Sequence, residues 1–307
     1  MEKMALLNLP DNIYNWICHF FCDRHHCTKY AGQCSTFSPI QASVVQGSGL
    51  GPASYIITAA DLHPIVTGNH IFKFADDTYL VIPTSNATSC PDEIQHIQSW
   101  AADNNLKINH SKSKELIFTA GIKCGQPQIP SSCLNIERVS SLRILGVIVN
   151  DRLTADDHVN TIVTSCSSLL YAFRVLRSHG IPDQSLHDIF HAVIIAKLTY
   201  CAPAWSGGCS AANRTKLDAF INKCRRLSYS CIEQPPITKL FDDLDNMFFS
   251  RILLHSEHLL HQFLPERSEV GYNLRTRPHN KLLLTKSSYL NSQDYLIRML
   301  YKYCYWL

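Results

Sequence analysis

Phe72-Lys73-Phe74-Ala75-Asp76-Asp77-Thr78-Tyr79-Leu80 sets two adjacent carboxylates between apolar, aromatic-rich runs. Phe72 and Phe74 alternate before the pair, and Thr78 to Ile82 is rich in β-formers after it, which predicts two antiparallel strands with Asp76 and Asp77 at the tight turn. Two-residue hairpin turns favour Asn-Gly or Asp-Gly, so Asp-Asp gains little from turn chemistry and adds charge repulsion. A local rule broken in this way marks a candidate site. Two carboxylates at a hairpin tip can hold hard divalent cations such as Mg²⁺ through oxygen ligands, as phosphoryl transfer requires. Taken alone, the pair also fits a solvated acidic turn.

The surrounding segments narrow the choice. Upstream lies Gln46-Gly47-Ser48-Gly49-Leu50-Gly51-Pro52; downstream lie Trp100, Leu106-Lys107-Ile108-Asn109-His110-Ser111-Lys112-Ser113-Lys114 and Ile144-Leu145-Gly146-Val147. By itself the glycine-rich block is weak. It lacks the Lys of a phosphate loop and misses the dinucleotide spacing by one residue. In their order and separations, however, the four blocks over about residues 14–205 resemble the palm of reverse transcriptases from non-long-terminal-repeat, LINE-type retrotransposons. An unrelated metal-dependent phosphotransferase would not be expected to carry all four.

The resemblance implies RNA-directed DNA synthesis on an RNA template and DNA primer with deoxynucleotide triphosphates. Asp76 and Asp77 match the metal-holding pair, which in the family works with two Mg²⁺ ions. Gln46, Gly47, Ser48 and Gly51 match the block beside template and incoming nucleotide, and Phe74 and Ala75 lead into the acidic pair. Lys112 matches a position near the incoming triphosphate; a surface lysine in a Lys/Ser-rich loop is the plain alternative. Asn109 belongs to the same block and is suited to fixing its loop by bonding to backbone. Val45 stands where the family usually has Pro.

One departure bears on activity. The family has a third carboxylate on a strand preceding the glycine-rich block, and none of Glu2, Asp11 or Asp23 stands in a matching context. An N-terminally truncated fragment is therefore expected, lacking the fingers and the first catalytic strand and inactive alone, because two adjacent aspartates do not hold two ions in catalytic geometry. The alternative is a non-catalytic retroelement relic that at most binds nucleic acid.

Composition bounds the other classes. The chain has 307 residues with 46% hydrophobic content, enough for one large or two ordinary cores. No uninterrupted apolar run approaches the ~18 residues of a membrane span, so no membrane role is expected. The N-terminal sequence has no secretory pattern, and thirteen scattered cysteines favour reduced thiols, which together predict an intracellular protein, nuclear or cytoplasmic. Cys18, Cys22, His25 and Cys27, with Cys34 nearby, are a candidate zinc set whose spacing departs from the usual layout. Net charge is +3, with the excess after residue 150, where Arg214, Lys216, Lys223, Arg225 and Arg226 cluster. They suit either a nucleic-acid backbone or an ordinary solvated helix face.

The expected fold is α+β: a partial polymerase palm of antiparallel sheet and helices over 1–150, a helical thumb-like region over 151–230 and a helical C-terminal region over 231–307. Helices are predicted around Leu6–Phe21 with a break near Pro10, and over Ala53–Leu62, Pro91–Asn105, Pro182–Tyr200 and Ala211–Leu227. Val159, Ile162, Val163, Cys166, Leu169, Leu170, Phe173 and Leu176 recur at intervals of three and four, predicting a long helix stopped by Gly180. A return strand at Ile108 and Leu116–Thr119 and a hairpin over Val139–Val149, with Gly146 inside its second run, complete the expected palm.

Overall fold

The computed structural model describes residues 2–40, 47–119, 136–267, 279–286 and 288–302. The chain divides into two compact units, Met1–Lys112 with Cys133–Asn135, and Ser113–Ser132 with Ile136–Leu307.

The first unit opens with α1 (Glu2–Ala5) and α2 (Asp11–Phe21), separated at Pro10. Between Asp23 and Ile40 the chain doubles back twice: β1 (His25–His26) pairs with β4 (Ser38–Pro39), enclosing β2 (Lys29–Tyr30) paired with β3 (Gln33–Cys34). Next come α3 (Leu50–Thr58), the hairpin of β5 (His70–Phe74) and β6 (Asp77–Val81), and α4 (Cys90–Asp103). The Lys3 ammonium ties three helices together. It donates to Thr58 O and Asp61 Oδ1 at 2.7 Å and to Asn104 Oδ1 at 2.8 Å. Trp100, the tryptophan that accompanies the sequence blocks, donates through Nε1 to the same Asp61 oxygen at 2.9 Å.

Glu93, in the first turn of α4, is fully buried. Its carboxylate accepts from Ile65 N at 3.1 Å, Val66 N at 2.9 Å and Asn69 Nδ2 at 2.8 Å. Asn69 Nδ2 also donates to Ser89 Oγ, and Asn86 Nδ2 donates to Thr67 O and Asn69 Oδ1. This network holds the turn that leads directly into β5. A buried carboxylate is stable only with such donors.

The second unit begins with β7 (Lys114–Leu116) parallel to β8 (Glu137–Val139), then the hairpin of β9 (Ser141–Ile144) and β10 (Val147–Asn150). Leu145 and Gly146, with φ of 45° and 90°, form the two-residue turn expected of a primed hairpin. Gly146 is thus the turn, not part of the second strand. The return strand covers Lys114–Leu116 rather than Ile108 and Leu116–Thr119, and pairs in parallel. Among the described residues the strands pair only two by two, in five ladders. The chain is α+β, as expected, with its described strands of two to five residues paired mainly as small antiparallel ladders.

Helices carry the second unit's core. They are α5 (Asp156–Ser178), α6 (Asp183–Ile189) running through a π-helical stretch Phe190–Ile195 into α7 (Ala196–Thr199), α8 (Ala202–Trp205), α9 (Ala211–Arg226) and α10 (Ile237–Leu254). Val159, Ile162, Cys166 and Phe173 on α5 pack with Leu186, Phe190, Ile194, Leu217, Ile221 and Phe241. Gly180, at φ 80°, ends the α5 segment as predicted. Asp156–Ser178 and Asp183–Gly208 are long and apolar enough, by length and composition, to cross a membrane. Their apolar positions instead supply the residues at the centre of this core.

Beyond α10 the helical expectation holds less well. His255–Glu266 is mostly turn, with a short 3-10 helix at His261–Phe263, and the next α-helices among the described residues are α11 (Tyr289–Gln293) and α12 (Tyr295–Tyr301), where Met299 and Leu300 pack on Phe249. The polar run His255-Ser256-Glu257-His258 ends α10, and Pro265 stops the short helical turn that follows it.

Candidate catalytic hairpin

The register of β5 and β6 is antiparallel, Phe72 opposite Tyr79 and Phe74 opposite Asp77, so the two-residue loop is Ala75-Asp76. The acidic pair is therefore split: Asp76 is in the turn and Asp77 opens β6. Of the two loop residues only Ala75 takes a positive φ, 50°, a conformation that costs an L-residue other than Gly roughly 1–2 kcal/mol. That backbone places both carboxylates at the solvent-exposed tip. On the strand face shared with Asp77, Phe72 and Phe74 are 52% and 62% exposed, so the aromatic face of the hairpin is open.

On the opposite face Lys73 anchors the hairpin to the end of α3. Its Nζ donates to Ala59 O at 2.5 Å and Leu62 O at 3.0 Å, carbonyls in the turn just beyond the end of α3. Burial pushes this ammonium's pKa down, although the Asp61 charge pulls the other way. Tyr55, half-buried on α3, faces the tip: burial raises its phenol above the ordinary value, and the Asp76 charge raises it further. The helix that leaves the glycine-rich block is thus brought beside Asp76.

Gln46 lies outside the described residues. Gly47 takes φ 82°, which only glycine adopts without strain, and Ser48 Oγ accepts from Gly51 N at 3.0 Å, closing the first turn of α3. Gly51 is buried in that turn. Asn109 acts as expected. Its Oδ1 accepts from Lys112 N at 3.2 Å and from Ser111 Oγ at 2.7 Å, an Asx-type turn. Lys112 is exposed, and no hydrogen bond or ion pair joins it to Asp76 or Asp77. Sequence blocks signalled none of Tyr55, Lys73 or Glu93, since each acts through partners distant in sequence.

The donor set can offer two carboxylates to a divalent ion, but it does not complete a two-ion centre. Among the described residues no three His, Cys, Asp or Glu side chains group to hold a metal. The same observation covers the cysteine and histidine set near residue 25.

The basic cluster of the second unit is largely spent on the fold itself. Arg214 donates to Ser206 O and lies over the Phe241 ring, Lys216 binds Asn160 Oδ1, and Arg225 donates to Asn222 Oδ1 and Gln234 O.

Comparison with known proteins agrees with the hairpin. Residues 1–149 match the family described as reverse transcriptase (RNA-dependent DNA polymerase). The chain is 26% identical over 290 residues to the probable RNA-directed DNA polymerase from transposon X-element of Drosophila melanogaster, covering 89% of this chain and 31% of that protein. It is 30% identical over 178 residues to the RNA-directed DNA polymerase from mobile element jockey of Drosophila funebris, covering 54% of this chain and 18% of that protein. No solved structure matches the chain. Residues 1–149 belong to the reverse transcriptase family. Their kind is that of the non-long-terminal-repeat, LINE-type retrotransposons, and the chain spans about a third or less of the length of these relatives.

Proposed function

We propose that this chain is the palm-bearing part of an RNA-directed DNA polymerase, and that the isolated chain does not synthesise DNA. The observation that carries this reading is the β5–β6 tip, where a left-handed Ala75 turns two adjacent carboxylates outward between strands that fix their spacing. Asp76 and Asp77 are the residues assigned to a divalent cation, with Mg²⁺ as the proposed ion. RNA template, DNA primer and deoxynucleotide triphosphates are the proposed partners. Gly47, Ser48 and Gly51 shape the start of α3, and Tyr55 flanks the tip where a nucleotide would approach. Lys112, whose ammonium is exposed, is proposed to meet the triphosphate.

Inactivity of the isolated chain follows from the ligand count. Positioning and charge stabilisation supply most of the catalysis of phosphoryl transfer, so an incomplete carboxylate set forfeits most of the rate. The partition into palm, thumb-like and C-terminal regions, and an intracellular location, belong to the same reading. Primer extension on an RNA template with Mg²⁺ or Mn²⁺ tests it. The purified chain is expected to extend nothing above background, and extension abolished by Asp76→Ala would show that the chain completes its own centre.

A further inference from the structure

A groove of about 460 Å³ opens in the second unit between the β9–β10 hairpin and helices α5 and α7. Its rim carries Arg143, Lys197 and Tyr200, all exposed, and its floor is Ile148, His158 and Ile162. No carboxylate lines it. The rim is fixed by its own contacts: Tyr200 Oη donates to Leu145 O at 3.1 Å, and Lys197 Nζ donates to Ser165 Oγ at 2.6 Å. Arg143 has no acidic partner among the described residues.

His158 is the informative member. It is 3% exposed, and its Nδ1 accepts from Ile148 N at 3.2 Å, which places the ring proton on Nε2. Nε2 is buried without a hydrogen-bond partner among the described residues. Burial, reinforced by the nearby Arg143 charge, pushes the ring pKa down to about 4, so it is neutral. An unpaired buried donor costs about 1–3 kcal/mol, and the ring that carries it lines a groove rimmed by two cations with no compensating acid.

We infer that this groove binds a phosphate group attached to a flat apolar body, a nucleoside monophosphate in kind, with Arg143 and Lys197 on the phosphate and the ring over Ile148 and Ile162. Charge-assisted donors favour the anion, and the neutral His158 ring beneath them adds no competing charge. The volume falls within the roughly 300–1,000 Å³ range of small-molecule sites. The phosphate has two possible sources, a free nucleotide or the backbone of a strand. The groove lies wholly within the second unit and its residues are separate from Asp76 and Asp77, so the inference does not rest on polymerase activity.

Isothermal titration of the full chain at low salt with adenosine 5′-monophosphate, adenosine and inorganic phosphate tests it. The monophosphate is expected to bind at least tenfold tighter than either part. Arg143→Gln and Lys197→Gln are each expected to weaken it about tenfold, whereas Arg143→Lys and Lys197→Arg, which keep the charge, hold most of the affinity. Asp76→Ala should bind as the parent chain does, which separates this site from the hairpin. An unphosphorylated-end single-stranded oligonucleotide that displaces the monophosphate would support the site and assign the phosphate to a strand; failure to displace would support it with a free nucleotide as the source. Absence of monophosphate binding, or affinity unchanged in both charge-removing variants, would overturn the inference.

Discussion

Glu93→Ala should loosen the candidate hairpin without touching it. The substitution removes one fully buried carboxylate and strands three donors: the amides of Ile65 and Val66, held at 3.1 and 2.9 Å, and Asn69 Nδ2 at 2.8 Å. Hydrogen bonds to a charged group contribute about 1.5–3 kcal/mol each and are not additive, so a loss of about 3–5 kcal/mol from the first unit is expected. Because the turn from Ile65 to Asn69 runs straight into β5, amide exchange should accelerate at Val66 and along His70–Phe74 before α5 is affected. Urea unfolding followed by far-ultraviolet circular dichroism, with amide exchange to localise the loss, measures both effects. The pH dependence has a definite sign. Burial pushes the Glu93 carboxyl up, but the Asn69, Val66 and Ile65 donors outweigh it and leave it below the ordinary range. Its stabilisation is therefore complete above the unfolded value of about 4.3 and disappears as pH falls through the lower folded value. Glu93→Gln should lack that acid-side loss. A variant that unfolds within about 1 kcal/mol of the parent, with β5 amides equally protected, would refute the clamp.

Two smaller changes probe other features. Ala75→Gly should raise the urea midpoint, because relief of the left-handed strain of roughly 1–2 kcal/mol outweighs the ~0.5–1 kcal/mol by which glycine favours the unfolded chain. Arg298→Ala should cost about 3–5 kcal/mol, since Arg298 Nη1 donates at 2.9 Å to Asp245, which is 1% exposed. Burial raises the Asp245 carboxyl despite Arg298, so ionisation opposes folding as pH rises through the folded value, and the deficit of Arg298→Ala should shrink in acid.

What was legible in the sequence was what depends on neighbours in the chain. The period of α5 and its Gly180 stop are local statements, and so is the Asn109 turn, whose acceptor reaches only two and three residues on. Glu93 reads in sequence as an ordinary first-turn acid on α4. It is buried because the backbone of Ile65 and Val66, 28 and 27 residues earlier, turns its amides toward it. The basic run from Arg214 to Arg226 reads equally as a phosphate-binding stripe or a solvated helix face, and in the fold Arg214 and Arg225 are committed to carbonyls and Lys216 to Asn160. The cations that remain beside a groove, Arg143 and Lys197, sit in unremarkable sequence and meet only because α5 packs against both the β9–β10 hairpin and α7.

The same distinction explains why recognition outruns chemistry at the hairpin. An ordered set of short blocks is preserved by local demands: a primed or strained turn, a glycine that lets α3 begin, an Asx loop. These demands are met in this chain residue by residue. A two-ion centre is a non-local object, needing carboxylates from separate strands held within a few ångströms of one another. The described residues give the tip two carboxylates, with a tyrosine at its side and a lysine anchoring its base, but no third acid. The open aromatic face formed by Phe72 and Phe74 is the physical counterpart of that gap: apolar surface beside the acidic tip that nothing among the described residues covers. A polypeptide that packed on this face and carried an acid to the tip would meet both deficits at once, the exposed area and the unfinished ligand set, whereas one that only covered the aromatics would stabilise the hairpin and leave it without catalysis.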